Sequence, residues 1–413
     1  MSSQTYPRYV TLLLLVTYVF NQLDRRVFDI LMEPLKQEFT LSDAQLGFLG
    51  GGALFIMYSV LGIPVARWAD RTRRLPIMTA AVAIWSAVAA STAIVTGFWT
   101  LTAARVGVGI GEAGFSAMAV AVISDLHSDT HRARAISNFM LALPIAGLVS
   151  NLLGGWINQL YGWRPVFLVA GLPGLLLAVL LATTVREPPR RSLSGSESVA
   201  SPSFGAVLAM LWKRASLRHL AIAQGLSNVA FNSMGWVTVL LIRQHHMRTG
   251  ELGSWLAIAD GAGGCISIWL SGLTIARFAA NGVHAKTRLM ALSAILVVPL
   301  ALIVLWAPSK DAALLAYLLL SLPLLFYVAP TAILVQELVG SHQRATMAAL
   351  FFLIQMLLGA VIANQLIGAA SDALVSASGD SALGLRLSMT FGVMTSFWAA
   401  FHYWRAGRDE RAA

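Results

Sequence analysis

Long apolar stretches, separated by short charged clusters, recur about twelve times between Tyr9 and Trp404. A helix that crosses a bilayer needs about 20 predominantly apolar residues. The chain has 413 residues, of which 57% are apolar and only 12% are charged, well below the charged share of a soluble domain. The stretches therefore predict a polytopic membrane protein. They exclude a secreted enzyme, a nucleic-acid-binding fold and a disulfide scaffold.

The apolar stretches divide the chain into predicted membrane spans. We place these near 9–32, 43–66, 76–95, 99–124, 135–158, 164–185, 218–242, 252–276, 289–306, 312–335, 345–370 and 384–404. The longest polar stretch, 186–216, contains Ser-Gly-Ser-Glu-Ser at 194–198 and predicts a flexible cytoplasmic linker. The predicted fold is all-α, with twelve transmembrane helices in two six-helix halves, 1–185 and 217–413.

A weak internal repeat relates the two predicted halves. Asp125 and Arg132, in the loop after helix 4, recur with the same spacing in the second half as Glu337 and Arg344. Parallel six-helix repeats are the architecture of one class of transporter. The repeat therefore favours a transporter made of two related halves.

The basic residues indicate how the spans are oriented. With the N-terminus inside, 20 of the 29 Lys and Arg residues fall in inner segments and 6 in outer ones. We therefore expect both termini in the cytoplasm. The net charge of +10 then reflects orientation and contact with anionic membrane lipids, not a nucleic-acid partner. Arginine far outnumbers lysine, as in GC-rich bacteria, and we expect a bacterial inner membrane.

Seven charged residues fall within predicted spans, where an unpaired charge costs several kcal/mol. They are Asp24, Arg25, Arg26 and Asp29 in helix 1, Arg105 and Glu112 in helix 4, and Asp260 in helix 8. A rise of about 1.5 Å per residue puts Asp24 and Arg105 at nearly the same depth, so we expect them to pair. Glu112 lies about 10 Å deeper, near the midplane where transporters place coupling sites.

A buried carboxylate captures or releases a proton when its distance to an arginine changes. We therefore interpret Asp24 and Glu112 as proton-coupling residues. Arg25, Arg26 and Arg105 are their candidate electrostatic partners. The alternative for Arg25 and Arg26 is that they end helix 1 and extend their side chains to the interface.

Helix 7 of the second half carries a stripe of amides, Gln224, Asn228 and Asn232, one every four residues. Such a stripe either faces a water-filled cavity or bonds neighbouring helices. We treat Asn228, Asn232 and Asp260 as candidate cavity-lining residues.

Two patterns suggest cofactors and fail on context. The glycine motif that begins at Gly109 matches a dinucleotide fingerprint, but it lies within a span and follows no strand, so close helix packing explains it better. His127 and His131 have helical spacing without a third metal ligand. We expect no cofactor, no metal and no enzymatic activity.

The loop 66–75, Ala-Arg-Trp-Ala-Asp-Arg-Thr-Arg-Arg-Leu, resembles the Gly-x-x-x-Asp-Arg-x-Gly-Arg-Arg loop of the major facilitator superfamily. Within that superfamily the chain is similar to the Spinster-like group, most densely over about 20–190. The features that carry this resemblance are Asp24-Arg25, Arg105-x-x-x-Gly109-x-Gly111-Glu112, and Asp125-Leu126 with Arg132 and Arg134.

The resemblance implies a secondary transporter that moves lysophospholipids or sphingosine-1-phosphate by alternating access. It implies that Asp24 and Glu112 are proton-linked, with Arg105 as their partner. For such a lipid, Arg25, Arg26 and Arg105 are the candidate ligands of the phosphate. The predicted inner gate consists of Asp70, Arg71, Arg74, Asp125, Arg132 and Arg134. We expect a monomer whose partners are membrane lipids, protons and an amphipathic or anionic small molecule.

Two other functions remain open. The Asp-Arg pair in helix 1 is also similar to organic anion symporters, so the first alternative is a proton-coupled carrier of small organic anions or drugs. The second is a membrane sensor that does not transport.

Overall fold

The computed structural model describes residues 5–189, 204–278, 282–340 and 343–412. Every regular element in those ranges is helical. The chain divides into two compact units. One contains Met1–Ser194 and Arg248–Ala257, and the other contains Gly195–Met247 and Ile258–Ala413.

Nine helices come from the first half of the chain. They are α1 (Thr5–Phe39), α2 (Asp43–Gly47), α3 (Ala53–Arg71), α4 (Arg74–Ser91), α5 (Phe98–Glu112), α6 (Phe115–Leu126), α7 (Asp129–Met140), α8 (Ala142–Tyr161) and α9 (Trp163–Thr184). A π-helix, Phe48–Gly52, connects α2 directly to α3. Ser42 begins α2 with the capping box that its spacing to Gln45 predicts.

The next eleven described helices belong to the second half of the chain. They are α10 (Phe204–Lys213), α11 (Ala215–Gly235), α12 (Val237–His245), α13 (Thr249–Leu256), α14 (Gly264–Arg277), α15 (Gly282–Trp306), α16 (Lys310–Leu324), α17 (Val328–Leu338), α18 (Arg344–Gln355), α19 (Asn364–Ser378) and α20 (Ser381–Ala412). The π-helices Ala257–Gly263 and Met356–Ala363 connect α13 to α14 and α18 to α19.

These helices supply the twelve predicted membrane-crossing lengths. Within the described ranges, ten segments are long and apolar enough to cross a membrane by length and composition alone. The other two lengths are α1 and α20. The charges of helix 1 make its span less apolar than the others, so its burial depends on the partners of those charges. The prediction of an all-α, twelve-helix fold is confirmed.

Close helix packing in the first unit depends on glycines of α5. A Cβ on Gly109 would overlap the carbonyl oxygen of Leu54, and one on Gly111 would lie 2.7 Å from the backbone nitrogen of Trp85. Only glycine allows α5 to approach α3 and α4 so closely. The glycine motif therefore packs helices, as its position in a span predicts.

The internal repeat extends to the breaks within helices. The offset that relates Asp125 to Glu337 also relates both ends of α5, Phe98–Glu112, to both ends of α16, Lys310–Leu324. Each of these helices is followed by a short break and then by a second helix, α6 or α17. In the first unit the break contains Gly114, whose φ of 80° lies in the left-handed region that glycine tolerates. Predicted helices 4 and 10 are therefore each two helices.

The segment 186–216 differs from the flexible linker that its composition predicts. Phe204–Lys213 forms α10, and α11 begins at Ala215. Val207 and Leu211, one turn apart, are buried in the core of the second unit, and this burial stabilises the helix. The serine-rich part, 190–203, lies outside the described residues.

The segment α13 packs within the first unit. Thr249 donates from Oγ1 to the carbonyl oxygen of Gly155 at 3.0 Å, and the backbone N–H of Gly250 donates to Gln159 Oε1 at 2.9 Å. A Cβ on Gly253 would overlap the carbonyl oxygen of Asn151. The α8 and α13 backbones are therefore in direct contact.

Candidate functional site

Two ion pairs join α1 and α5 inside the first unit. Arg105 donates from Nη1 to Asp24 Oδ2 at 3.0 Å, and both side chains are 2% exposed. Arg25 donates from Nε to Glu112 Oε2 at 2.6 Å, and the Glu112 side chain is fully buried. The contact that helical rise predicts between Asp24 and Arg105 is present. Glu112 has a separate partner, in keeping with its greater depth.

Aromatic rings hold both guanidinium groups in place. Arg105 lies over the ring of Phe28, 4.5 Å from its centroid, and Arg25 lies 4.5 Å from the ring of Tyr58 and 5.3 Å from that of Phe55. Each ring presents its negative face to the cation. The arginines are therefore stabilised by aromatic faces as well as by carboxylates.

The position of Glu112 at a helix end explains why it needs a cation. It is the last residue of α5, where the helix dipole carries partial negative charge and disfavours a carboxylate. The long side chain of Arg25 leans towards the N-terminal end of α1 and reaches Glu112 from there. The break at Gly114 therefore places the carboxylate where only a close cation compensates it.

Within the described ranges, Asp24 and Glu112 each have one carboxylate oxygen without a hydrogen-bond partner. These oxygens are Asp24 Oδ1 and Glu112 Oε1, and Asn21 Nδ2 on α1 also has no partner among the described residues. Buried polar atoms are nearly always satisfied, so such atoms call for a functional explanation. An unpartnered carboxylate oxygen is a place where a proton binds.

Arg26 differs from Arg25 and Arg105. Its side chain is partly exposed, and within the described ranges it forms no ion pair. Asp29, one turn further along α1, is also partly exposed. Of the three predicted phosphate ligands, Arg26 is therefore the one that no carboxylate among the described residues binds.

Two residues of the predicted inner gate, Arg74 and Asp125, form an ion pair. Arg74 donates from Nη1 to Asp125 Oδ2 at 2.6 Å. Arg71 and Arg134 are exposed and Arg132 is partly buried. The side chain of Asp70 lies outside the described residues.

Glu187 is a site residue that sequence reasoning missed. Its two carboxylate oxygens accept the backbone N–H groups of Arg74 and Leu75, at 2.9 and 2.8 Å. The first N–H groups of a helix lack partners within the helix, so this carboxylate caps α4 from the end of α9. The signal available in the sequence was an acid directly before Pro188-Pro189, where the chain leaves helix 6.

The second unit repeats the pair at the start of its third helix. Lys286 donates from Nζ to both oxygens of Glu337, at 2.6 and 2.7 Å. Lys286 and Glu337 occupy the positions that are equivalent to Arg74 and Asp125 in the repeat. Sequence reasoning missed Lys286, although the offset between Asp125 and Glu337 was sufficient to predict it.

The amide stripe of α11 bonds to its neighbours in the second unit. Gln224 donates to Gln355 at 2.6 Å, Asn228 donates to the Tyr327 hydroxyl at 3.0 Å, and Asn232 donates to Asn228 Oδ1 at 2.9 Å. A Cβ on Gly359 would overlap Asn228 Oδ1. Of the two meanings left open for the stripe, these contacts favour bonding between helices.

Asp260 lies in the π-helix Ala257–Gly263 and accepts a hydrogen bond from the Tyr317 hydroxyl at 2.9 Å. Tyr317 is the equivalent of Arg105 in the repeat, and Arg105 likewise donates to a π-helix, through the carbonyl oxygen of Leu49 at 3.4 Å. The side chain of Asp260 is partly buried. In each half, therefore, a polar side chain on the fourth predicted helix contacts a π-helix that lies within the second predicted helix.

Two titratable groups outside the predicted spans, Glu38 and His127, have a lowered pKa. Glu38 accepts hydrogen bonds from Arg164 Nη2 at 2.6 Å and from Trp163 Nε1 at 2.5 Å, and these two bonds lower the pKa of its carboxyl. His127 bonds to Thr11 at 2.9 Å, and burial lowers its pKa. Within the described ranges, no three His, Cys, Asp or Glu side chains are arranged to hold a metal ion.

The sequence model of the Major Facilitator Superfamily matches residues 14–363, well over half of the chain. The chain belongs to the Major Facilitator Superfamily. Among solved structures it is similar to a bacterial homologue of the human lysosomal transporter Spinster, in an inward-facing conformation, with a TM-score of 0.88 and 24% identity over 98% of both chains. A D-xylose–proton symporter has a TM-score of 0.78 at 18% identity, over 97% of this chain and 98% of its own. These two likenesses concern the fold.

Three relatives indicate where the chain stands within the superfamily. An "MFS-type efflux pump" of Mycolicibacterium smegmatis is 28% identical over 95% of this chain and 90% of its own length. "Protein spinster homolog 1" of Rattus norvegicus is 28% identical over 57% of this chain and 44% of its own. "Sphingosine-1-phosphate transporter SPNS2" of Xenopus tropicalis is 28% identical over 56% of this chain and 45% of its own. The chain thus matches less than half the length of these two spinster proteins.

The superfamily and its Spinster-like relatives agree with the resemblance that the charged motifs indicate. The chain is therefore an integral membrane transporter of the Major Facilitator Superfamily, and it is similar in sequence to spinster proteins. The matched range contains both ion pairs between α1 and α5.

Proposed function

We propose that this transporter moves an amphipathic anionic lipid, such as a lysophospholipid or sphingosine-1-phosphate, by proton-coupled alternating access. The observation that carries the proposal is the set of two buried ion pairs, Asp24–Arg105 and Arg25–Glu112, each with an unpartnered carboxylate oxygen. Ionisable groups inside a membrane protein are costly and mark ion or substrate pathways.

Arg25 is the element that couples proton to substrate in this proposal. Its guanidinium binds Glu112 in the structure, and a phosphate presents the same kind of acceptor for a bidentate contact. When a phosphate binds the Arg25 guanidinium, Glu112 loses its counterion at the C-terminal end of α5, where the helix dipole is negative. A buried carboxylate without a counterion is unfavourable, so Glu112 takes up a proton at Oε1. Departure of the phosphate reverses the exchange.

Arg26 supplies the first contact for the phosphate. It is partly exposed and no carboxylate among the described residues holds it. Arg105, which is 2% exposed and bound to Asp24, is the less accessible cation. We propose Asp24 as the second proton-linked residue. It takes up a proton when Arg105 moves away from it and loses the proton when Arg105 returns.

The lipid part of the proposal rests on the relatives. One of them carries the name of a sphingosine-1-phosphate transporter, and others carry the spinster name. A single-tailed lipid with a phosphate needs cations near an apolar surface, and Arg25 lies against the rings of Phe55 and Tyr58.

The remaining assignments are part of the same proposal. The inner gate comprises Asp70, Arg71, Arg74, Asp125, Arg132 and Arg134. In the second half, the partly exposed Asn232 and Asp260 line the cavity, and the buried Asn228 holds Asn232 by accepting its hydrogen bond. The transport halves are 1–185 and 217–413, joined by a cytoplasmic linker at 186–216. We propose a monomer in a bacterial inner membrane with both termini in the cytoplasm.

The test is flux of a labelled lysophospholipid into proteoliposomes under an imposed pH gradient. We expect uptake driven by the gradient in the unmodified protein and loss of the gradient dependence in both Asp24→Asn and Glu112→Gln. Asp311→Asn, at an exposed acid in the first turn of α16, is the matched control and should keep it. Undiminished coupling in both site variants would refute the proton-linked roles.

The second candidate is a proton-coupled carrier of small organic anions or drugs. It is favoured by the match to an efflux pump over 95% of this chain, which is far more extensive than the spinster matches. The same proteoliposomes distinguish the two candidates when a sugar acid replaces the lysophospholipid. Transport of the sugar acid alone would favour the second candidate.

A further inference from the structure

The helix α10 has two faces of different character in the second unit. Val207 and Leu211 are 1% and 5% exposed and lie in the core. On the other side Trp212 is 61% exposed, and Lys213 is exposed beside it. An exposed tryptophan next to a cation is typical of a helix at the membrane–water interface.

An open cleft of about 600 Å³ lies along α10, here named the α10 cleft. The described residues that line it are Ala206, Ala209, Met210, Lys213 and Arg214. They follow one another at helical spacing, so they share one face of the helix. The face is apolar at the end near Ala206 and carries two cations at the other end.

The charge around the cleft favours an anion. Between Phe204 and Gly250 the sequence contains no aspartate or glutamate. Arg214 donates from Nη1 to the carbonyl oxygen of Leu338, and this bond fixes its guanidinium beside the cleft. Arg218 donates from Nη1 to the carbonyl oxygen of Trp212 at 2.5 Å and so places a third cation near the C-terminal end of α10. Among the described residues, Lys213 forms no ion pair.

We propose that the α10 cleft binds one anionic phospholipid of the surrounding bilayer, with its phosphate at Lys213 and Arg214 and an acyl chain along Ala206 and Ala209. A soluble anion would use the cations and leave the apolar wall exposed to water. An anionic phospholipid uses both, because its phosphate and its acyl chain belong to one molecule. This site lies on the outside of the second unit and is independent of the transport substrate.

The experiment is a lipid titration of the full-length protein in detergent, followed by native mass spectrometry. Phosphatidylglycerol and phosphatidylcholine of equal chain length are the two probes. We expect one phosphatidylglycerol to be retained more tightly than phosphatidylcholine. Lys213→Gln should weaken its retention about fivefold, because a basic side chain near an anionic surface contributes about 1 kcal/mol.

Three further variants make the result specific. Lys213→Arg keeps the charge and should keep the retention. Arg248→Gln removes an exposed positive charge elsewhere and should change nothing. Ala209→Trp, at an exposed position that tolerates a larger side chain, should fill the apolar wall and reduce retention without changing charge.

Two outcomes would overturn the proposal. One is equal retention of the two lipids, or phosphatidylglycerol retention that neither Lys213→Gln nor Ala209→Trp changes. The other is displacement of phosphatidylglycerol by millimolar inorganic phosphate, which would assign the cleft to a soluble anion. Thermal melting of each variant checks that it is folded.

Discussion

Glu38, near the C-terminal end of α1 and beyond the predicted span, holds α1 to the start of α9. Its carboxylate accepts hydrogen bonds from Arg164 and Trp163, and the Arg164 bond is the larger cause of its lowered pKa. A glutamate with a lowered pKa stabilises the folded state above its ordinary pKa of about 4.3. That stabilisation is lost as the pH falls through the lower, folded-state value.

The residue-scale prediction follows from that sign. The melting temperature of the unmodified protein should exceed that of Glu38→Gln at pH 7, and the difference should shrink as the pH falls below about 4.3. Melting in detergent between pH 3.5 and pH 7 measures the difference. Asp311→Asn is the control and should show a smaller dependence on pH. A difference that stays constant over this range would contradict the role of the charged carboxylate.

Residue-scale pairing was predictable only in part. The depth of Asp24 and Arg105 follows from backbone rise, and their contact at 3.0 Å was predictable. The partner of Glu112 was not, because Arg25 reaches it with a long side chain whose direction the rise does not describe. Depth ranks the backbone positions, and the final pairing depends on side-chain length and lean.

At the scale of elements, apolar composition predicts where helices lie but not where they are interrupted. All twelve predicted spans correspond to helical lengths in the structure. The π-helices and the break after α5 were not predicted, because one additional residue in a turn leaves hydropathy unchanged. α10 was missed for a related reason, since a ten-residue helix beside a serine-rich stretch is masked by the average composition.

The cap of α4 gives the prediction that belongs to this scale. Glu187→Ala removes the acceptor of two backbone N–H groups at the start of α4 and should destabilise the protein by about 1 kcal/mol. Arg186→Ala is the matched control, because that side chain is exposed and only its backbone N–H bonds to Tyr6. Hydrogen exchange at the first turn of α4 should rise in Glu187→Ala and not in Arg186→Ala. Equal exchange in the two variants would remove the cap from the account.

At the scale of the whole molecule, the two units are variations of one plan. Their repeat is preserved in the bounds of α5 and α16 and in the ion pairs Arg74–Asp125 and Lys286–Glu337. The charges that join α1 to α5 are not repeated. The first unit has two ion pairs between these helices, and the second unit has the uncharged amides of α11. We therefore assign the shared plan to packing and to the proposed inner gate, and the unshared charges to coupling and substrate.

The repeat predicts how local damage stays local. Asp125→Asn leaves Arg74 without its carboxylate in the first unit, and Glu337→Gln does the same to Lys286 in the second. Removing one partner of such a pair costs on the order of 1–3 kcal/mol, and effects at sites without shared partners are independent. In hydrogen-exchange mass spectrometry, Asp125→Asn should speed exchange in α4 and α6, and Glu337→Gln should do so in α15 and α17. An equal rise of exchange in both units from either variant would contradict this prediction. The loss of one ion pair would then destabilise both units together.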